Sequence, residues 1–307
     1  MKEIFTSIII PNCNGEKTLE ETINAAEHSL KRKKFEVIVV DDCSTDSSPQ
    51  VLEKISKKDS HLRFFGNKKR MGAAFSRNLG IRNAQGDAII FVDNDVRLKA
   101  NSAALLAKKA ILNSGIAFPK IIFSNGRVMW PASGQEESFL EVSACFAISR
   151  KAFKKVGIFD ENYGTYLEDA DFFLRCRRAG IKFCYEKNAL ALHSIPQFYS
   201  GEKRYFLENR NVVYGMLKFR GLNAKERGPF NCSALFKNFV CGLFNFRWFD
   251  WSHYRRNGSW KMKLKMLFGR HKRITKKSSV MLLAIFFYAF IMGIVGAVFK
   301  SSSKRNI

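Results

Sequence analysis

Short apolar runs recur through the first 200 residues, separated by longer stretches that mix apolar and polar positions. Residues 4–10, 35–40, 62–65 and 89–92 are rich in Ile, Val and Phe, the pattern of strands buried on both faces. Between them, residues 16–30 place Leu19, Ile23, Ala26 and Leu30 on one side of a helix. Ser48 and Pro49 open a second helix, with serine as its N-cap and proline at its first position. Residues 71–84 read as a third helix, carrying Ala73, Ala74, Arg77 and Asn78. Further strands are predicted over 116–123 and 139–148, and a helix over 170–179. Strand alternating with helix predicts an α/β fold with a mostly parallel sheet flanked by helices. Its site would form from the loops at the carboxyl ends of the strands.

Those loops carry the candidate chemistry. The first spans 12–15, the second is the acidic stretch 41–46, and the third is Asp93-Asn94-Asp95. Leaving a strand in extended form, Asp93 and Asp95 point to the same side. Two hard oxygen donors there can share one Mg²⁺ or Mn²⁺, which keeps positions open for substrate phosphates. A solvated acidic turn accounts for the same residues. Neither G-x-G-x-x-G nor G-x-x-x-x-G-K-[ST] occurs, so neither a dinucleotide fingerprint nor a phosphate loop is present. The acidic second loop is a poor cradle for a bare phosphate, but it accepts hydrogen bonds from a base or ribose.

Later in the chain, Glu168 and Asp169 stand at the positive end of a predicted helix, where a carboxylate stays ionised and suits a general base. Plain helix capping is the alternative. His193 follows the apolar run 189–192, at a predicted strand end, as a ligand or as a hydrogen-bonded structural residue. The loop 126–134 offers Trp130 either as a sugar platform in an acceptor cleft or as a core residue.

The chain has 307 residues, 46% hydrophobic and 26% charged, which excludes broad disorder. Its 52 Lys and Arg against 27 Asp and Glu give a formal charge of +25, unevenly placed. Residues 201–307 hold 22 basic and 4 acidic residues, against 30 and 23 in residues 1–200. Such an excess points to nucleic acid, an anionic membrane or phosphorylated substrates. Seven cysteines form no C-x-x-C pair, which argues against a disulfide framework and for a reducing compartment. The N-terminal apolar run is too short for a secretory signal.

Beyond residue 200 a helix is predicted over 202–219, with Arg204, Arg210, Lys218 and Arg220 facing lipid headgroups, a diphosphate or solvent. Residues 230–251, rich in Phe and Trp but interrupted by Lys237 and Arg247, suit an interfacial segment. Residues 280–299 hold no charge over 20 positions, enough to cross a bilayer core of about 30 Å. Eight Lys and Arg lie between 261 and 277, against three after residue 299. That asymmetry predicts a single-pass C-terminal anchor in the plasma (inner) membrane, with the N-terminal domain cytoplasmic.

Taken together, the motifs resemble glycosyltransferase family 2. They are the segments 7–14, 37–46 and 76–80, Gly86-Asp87, Asp93-Asn94-Asp95, then 157–161, Glu168 through Asp171, Arg175, Gly180 and His193. The resemblance covers about residues 4–195. It implies a GT-A fold and an inverting enzyme that uses a nucleotide-sugar donor. By the same resemblance, Asp42 would contact the donor base, with Asp41 supporting that loop and Pro11, Asn12, Arg77 and Asn94 also lining the donor. Asp93 and Asp95 would hold the metal that bridges the diphosphate, with His193 as third ligand. Asp169 would be the base on the acceptor hydroxyl, with Glu168 and Trp130 on the acceptor side. Position 13 is Cys where many relatives carry an aromatic residue that stacks on the base, so uridine specificity does not carry over.

The expected organisation is a GT-A-like domain over 1–200, a basic helical membrane-associating region over 201–279, a transmembrane helix over 280–299 and a tail over 300–307. The expected function is metal-dependent transfer of a sugar to a membrane-borne glycan or lipid-linked acceptor. The rivals are a basic nucleic-acid-binding protein, which no zinc-finger, RNA-recognition or homeodomain pattern supports, and a non-catalytic family member. The presence of every expected carboxylate disfavours the last.

Overall fold

The computed structural model describes residues 3–30, 33–130, 143–194, 202–223, 226–230, 235 and 287. The first four apolar runs form strands β1 (Thr6–Asn12), β2 (Phe35–Asp41), β3 (Leu62–Gly66) and β4 (Ala88–Val92). They pair in parallel in the order β3-β2-β1-β4. Helices α1 (Leu19–His28), α2 (Ser48–Ser56) and α3 (Ala73–Asn83) make the crossovers, as parallel neighbours require.

The second half departs from the expectation of a mostly parallel sheet. β4 pairs antiparallel with β8 (Cys145–Ser149), which pairs antiparallel with β6 (Ile116–Phe123). β6 runs parallel to β9 (Phe183–His193), and β9 antiparallel to β5 (Val96–Leu98). β7 (Val128–Trp130) hangs antiparallel on β6. The sheet is therefore mixed: β8 enters between β4 and β6 running against both, and the short turn from β6 to β7 leaves no room for a crossover helix. Trp130 lies on β7 opposite Ile121, so 128–130 is strand rather than loop, and residues 131–134 fall outside the described residues.

This order forces the sheet to curl. In sequence β5 begins four residues after β4 ends, yet in the sheet three strands separate them. Four residues reach at most about 14 Å, whereas four strand spacings laid flat span about 19 Å. Curling returns the β9–β5 edge to the carboxyl end of β4.

Alternation along the buried strands feeds two cores. Ile8, Ile10, Val37, Val39, Ile90 and Val92 pack with α1, α2 and α4 (Ser102–Leu112). Ile9, Ile38, Val40, Ile89 and Phe91 face α3, α5 (Arg150–Val156) and α6 (Glu168–Arg178). On this second face Phe159 stacks on Phe172 at 4.4 Å between centroids, and Phe146 lies 4.9 Å from Phe91 and 5.0 Å from Phe173. Arg175 pairs with Asp171 at 2.8 Å and donates to Val156 O and Ile158 O, which fastens α6 to the turn before it.

Several boundaries differ from the sequence pattern. α1 starts at Leu19, three residues late, because Thr18 N and Leu19 N both close a turn on Gly15 O. The N-cap of α2 is Ser47, and the Ser48 hydroxyl accepts from Gly15 N at 3.0 Å instead. α6 begins at Glu168 itself, so both acidic residues lie within its first turn.

The chain separates into two compact units, Met1–Pro196 and Gln197–Ile307. In the second, α7 (Glu202–Lys218) carries the i,i+4 pair Arg204–Glu208 at 2.8 Å. After it, Asn223 and Glu226 cap one another through reciprocal 3.0 Å bonds, and Phe230 packs 5.6 Å from Phe219. Among the described residues no helix is long and apolar enough to cross a membrane. The expected span over 280–299 lies outside them apart from Phe287. The basic stretch 261–277 lies wholly outside, as do all of 231–251 but Leu235.

Phe172, with no exposed surface, joins α6 to the aromatic core. Phe172→Ala should cost about 3–5 kcal/mol, read as a lower urea midpoint at unchanged slope. A shift under about 1 kcal/mol would show that the aromatic layer does not anchor α6.

Candidate active site

The carboxyl ends of β1, β2 and β4 meet in a chain of side-chain hydrogen bonds. Asn94 Nδ2 donates to Asn12 Oδ1 at 2.7 Å, and Asn12 Nδ2 donates to Asp41 Oδ1 at 2.7 Å. Ser44 completes the rim, its N–H and hydroxyl both donating to the Asp41 carboxylate at 3.0 and 2.6 Å. Gly15 is needed at this crossing, since a Cβ there would lie 2.2 Å from Asn12 Oδ1 and 2.4 Å from Asn94 Nδ2. Asn12, Asp41 and Asn94, expected at the donor, are thus tied to one another. Pro11 sits beside them on β1, in register with Val40.

Asp42 has a scaffold role of its own. Its Oδ1 accepts from Asn67 Nδ2 at 2.8 Å and Met71 N at 2.7 Å, and its Oδ2 from Gly72 N at 2.9 Å. These bonds hold the segment between β3 and α3. Gly72, at φ 93°, is the residue that lets α3 start against Gly164; its Cβ would lie 2.5 Å from the Gly164 carbonyl carbon.

At the centre is Arg77, 3% exposed, which α3 delivers under the strand ends. Its NH1 donates to Glu168 Oε1 at 2.6 Å and its NH2 to Asp93 Oδ1 at 3.2 Å. One buried guanidinium therefore joins β4 to the start of α6. Burial raises the Glu168 carboxyl to about 7, with Asp169 adding and Arg77 opposing. Burial likewise raises Asp93 to about 6, against the pull of Arg77. Among the described residues Glu168 Oε2 and Arg77 Nε are buried without a hydrogen-bond partner.

Glu168 and Asp169 are adjacent in sequence but differ in setting. Glu168 is buried and ion-paired. Asp169 is half-buried and accepts from Ala170 N at 2.7 Å, leaving the rest of its carboxylate for a substrate. The turn before them, Tyr166 and Leu167, is held at φ 74° and 65°, the kind of strain that surrounding contacts must sustain.

The curl of the sheet brings His193, at the end of β9, to Asp95 just before β5. His193 Nε2 lies 3.2 Å from Asp95 Oδ1, and Phe123 stacks on the ring at 5.7 Å. Burial lowers the imidazole pKa, but the hydrogen bond and charge of Asp95, together with Asp93, outweigh it and raise the pKa overall. Adjacent ligands of an octahedral cation at about 2.1 Å lie about 3.0 Å apart, so this oxygen and nitrogen fit two such corners. Asp93 is turned to Arg77, and among the described residues no cluster of three or more acidic, His or Cys groups is arranged around one metal position. A hard divalent cation would therefore have Asp95 and His193 as its ready ligands, with Asp93 alongside.

Gly15 and Ser44 lie in the loops that the sequence pattern singled out, but their parts in the rim, and those of Asn67 and the Gly72–Gly164 contact, escape it. Asn67 stands just past the end of β3, the local signal that could have found it. Arg77 takes a different part from the donor contact expected of it.

The Glu168 carboxyl stands above its ordinary value of 4.5 in the folded state. The folded protein thus binds that proton more tightly, so its contribution to stability is full below about 4.5 and is lost as pH rises through about 7. In metal-free buffer Glu168→Gln should flatten the fall in unfolding free energy across that window, measured by urea midpoints. An unchanged pH slope in the variant would refute the buried setting of Glu168.

The family model for glycosyl transferase family 2 matches residues 7–171. The poly(ribitol-phosphate) β-N-acetylglucosaminyltransferase TarS of Staphylococcus aureus (strain Mu50) is 37% identical over 94 residues, 29% of this chain and 16% of that one. The enzyme of the same description named TarP (strain N315) is 27% identical over 212 residues, 61% of this chain and 62% of that one. The chain thus spans less than two thirds of either relative. The mannosyltransferase PcManGT from Pyrobaculum calidifontis, solved with GDP-Man and Mn²⁺, superposes with a TM-score of 0.58 at 15% identity, over 98% of this chain and 88% of that one. At such identity the superposition speaks for the fold, an α/β GT-A-like architecture with a curled mixed sheet. With more than half of its length matched by the family model, the chain belongs to glycosyl transferase family 2.

Proposed function

We propose that this protein transfers a sugar, with inversion, from a nucleoside-diphosphate sugar to a glycan or lipid-linked acceptor at a membrane. The observation that carries the reading is the convergence at one strand edge of the Asp95–His193 pair, Asp93 and the Glu168–Asp169 turn, joined by Arg77. Asp169 takes the proton of the acceptor hydroxyl while the acceptor oxygen attacks the anomeric carbon and the bond to the diphosphate breaks. One displacement of this kind inverts the configuration. Arg77 and Glu168 keep the turn that bears Asp169 at a fixed distance from β4. Asp95 and His193, with Asp93 beside them, would hold a divalent cation, which when bound would neutralise charge on the leaving diphosphate. The GDP-Man and Mn²⁺ bound by PcManGT support a nucleotide-sugar donor and a metal here. The poly(ribitol-phosphate) named for TarS and TarP supports a polymer acceptor. Trp130 is assigned to the acceptor side.

Two variants separate the roles. Asp169→Asn should lower transfer about 10²–10⁴-fold while donor affinity stays, because the loss falls on the chemical step. Asp95→Ala should instead weaken donor binding in Mn²⁺ to the level seen with chelator. Near wild-type transfer by Asp169→Asn, with a dead Glu168→Gln, would move the base to Glu168. Unchanged donor affinity in Asp95→Ala would remove the metal from this site.

The charge-free 20-residue run over 280–299 and the basic excess before it support an anchored protein with its N-terminal unit cytoplasmic. The full chain should then stay in the membrane fraction at high salt and enter solution only with detergent. Release by salt alone would leave basic, screened adhesion to anionic lipid as the attachment.

A further inference from the structure

The rim groups expected to meet the donor's base are already engaged. Asp41 accepts from Asn12 and Ser44, Asn12 Oδ1 takes the Asn94 amide, and Asp42 takes three N–H groups of the segment 67–72. Cys13, just past β1, rests its sulfur 3.6 Å from Asp42 O and offers neither a ring face nor a strong donor.

What Asp42 holds in place is more telling. By fixing the N–H groups of Met71 and Gly72, it pins the residue before them, Arg70, beside the ends of β1 and β2. The Arg70 side chain is exposed, and its positive charge acts on the Cys13 thiol at the end of β1. No carboxylate among the described residues forms an ion pair with Arg70. In a doubly wound sheet the nucleotide lies in the crevice at the carboxyl ends where strand order reverses. Here the reversal falls at β1, between β2 and β4. A planar group with five N–H donors and no acceptor therefore stands at the mouth of that crevice.

We propose that Arg70, seated by the bonds of Asp42 to Met71 and Gly72, reads the nucleobase of the donor through its exocyclic oxygen. Guanine carries O6 and the uracil-type ring carries O4 where adenine and cytosine carry an amino group. The oxygen accepts from the guanidinium. The amino group sets donor against donor. This selects uracil, thymine or guanine over cytosine and adenine, and it rests on the nucleotide-sugar reading above.

The test is calorimetric titration of the full chain with UDP, CDP, GDP and ADP in Mn²⁺. The better-bound of UDP and GDP should exceed its amino counterpart, CDP or ADP respectively, by about tenfold or more. Arg70→Gln, whose amide offers a donor and an acceptor, should bring that ratio to within about threefold at an unchanged melting temperature. Lys69→Ala should leave the ratio intact. Equal wild-type affinity for the amino counterparts, or a ratio that survives in Arg70→Gln, overturns the assignment and leaves the glycosyltransferase reading standing. Failure of the wild-type chain to bind any of the four, or dTDP titrated as a fifth, overturns both.

Discussion

One buried guanidinium organises the catalytic end of this protein. Arg77 sits under the strand edge with a carboxylate on either side, Asp93 from β4 and Glu168 from α6. A charge taken out of water is tolerated only when opposite charge and hydrogen bonds surround it, and removing one partner of a buried pair typically costs about 3–5 kcal/mol. The arrangement is therefore mutually enforcing. Arg77 is buried because α6 closes over it, and α6 begins where it does because Glu168 must reach Arg77. The aromatic layer of Phe91, Phe146, Phe159, Phe172 and Phe173 supplies the apolar walls of this corner. In those surroundings Asp169 is left as the open carboxylate of the acidic pair.

Around that corner the protein builds its rim from polar groups that satisfy each other. Asn94, Asn12, Asp41 and Ser44 run across three strand ends, and Asp42 does the same for the segment leading into α3. A network of this kind rigidifies when every member is paired, because an unpaired buried polar group is costly. Its consequence for recognition is indirect. The rim holds the groups that reach outward, Arg70 and Asp95, at fixed positions, and spends its own donors and acceptors on doing so.

The superposition on PcManGT at 15% identity fits this division of labour. Burying two faces of a curled sheet needs only near-continuous apolar strands of about the right volume, a requirement many sequences meet. Bringing carboxylates to the strand ends needs the curl itself. It is the short link from β4 to β5 that makes the far edge return, and with it His193.

Strand existence in the first half was legible in the chain. The runs over β1, β2 and β4 are apolar at nearly every position, as strands buried on both faces are, β3 alternates, and all four end on polar turns, local properties that a sequence displays directly. The strand-end position of His193 and the acidic pair at a helix start were legible for the same reason. The helices α4 and α5 and the short strand β5 were not, because their weak periodicity is set by what they pack against. Nor could pattern alone reveal that the second half pairs antiparallel, since strand direction follows from connections that fold back over long stretches. The hardest distinction was between Glu168 and Asp169, neighbours of the same charge in the same helical turn. Arg77 lies 91 residues from Glu168 in the chain, and only its arrival in three dimensions buries one carboxylate and leaves the other open. Sequence thus determined which elements exist and which residues stand at their ends. Tertiary structure decided which of those residues spend their polar atoms on each other and which keep them for a ligand, because partners drawn from distant segments leave no local trace.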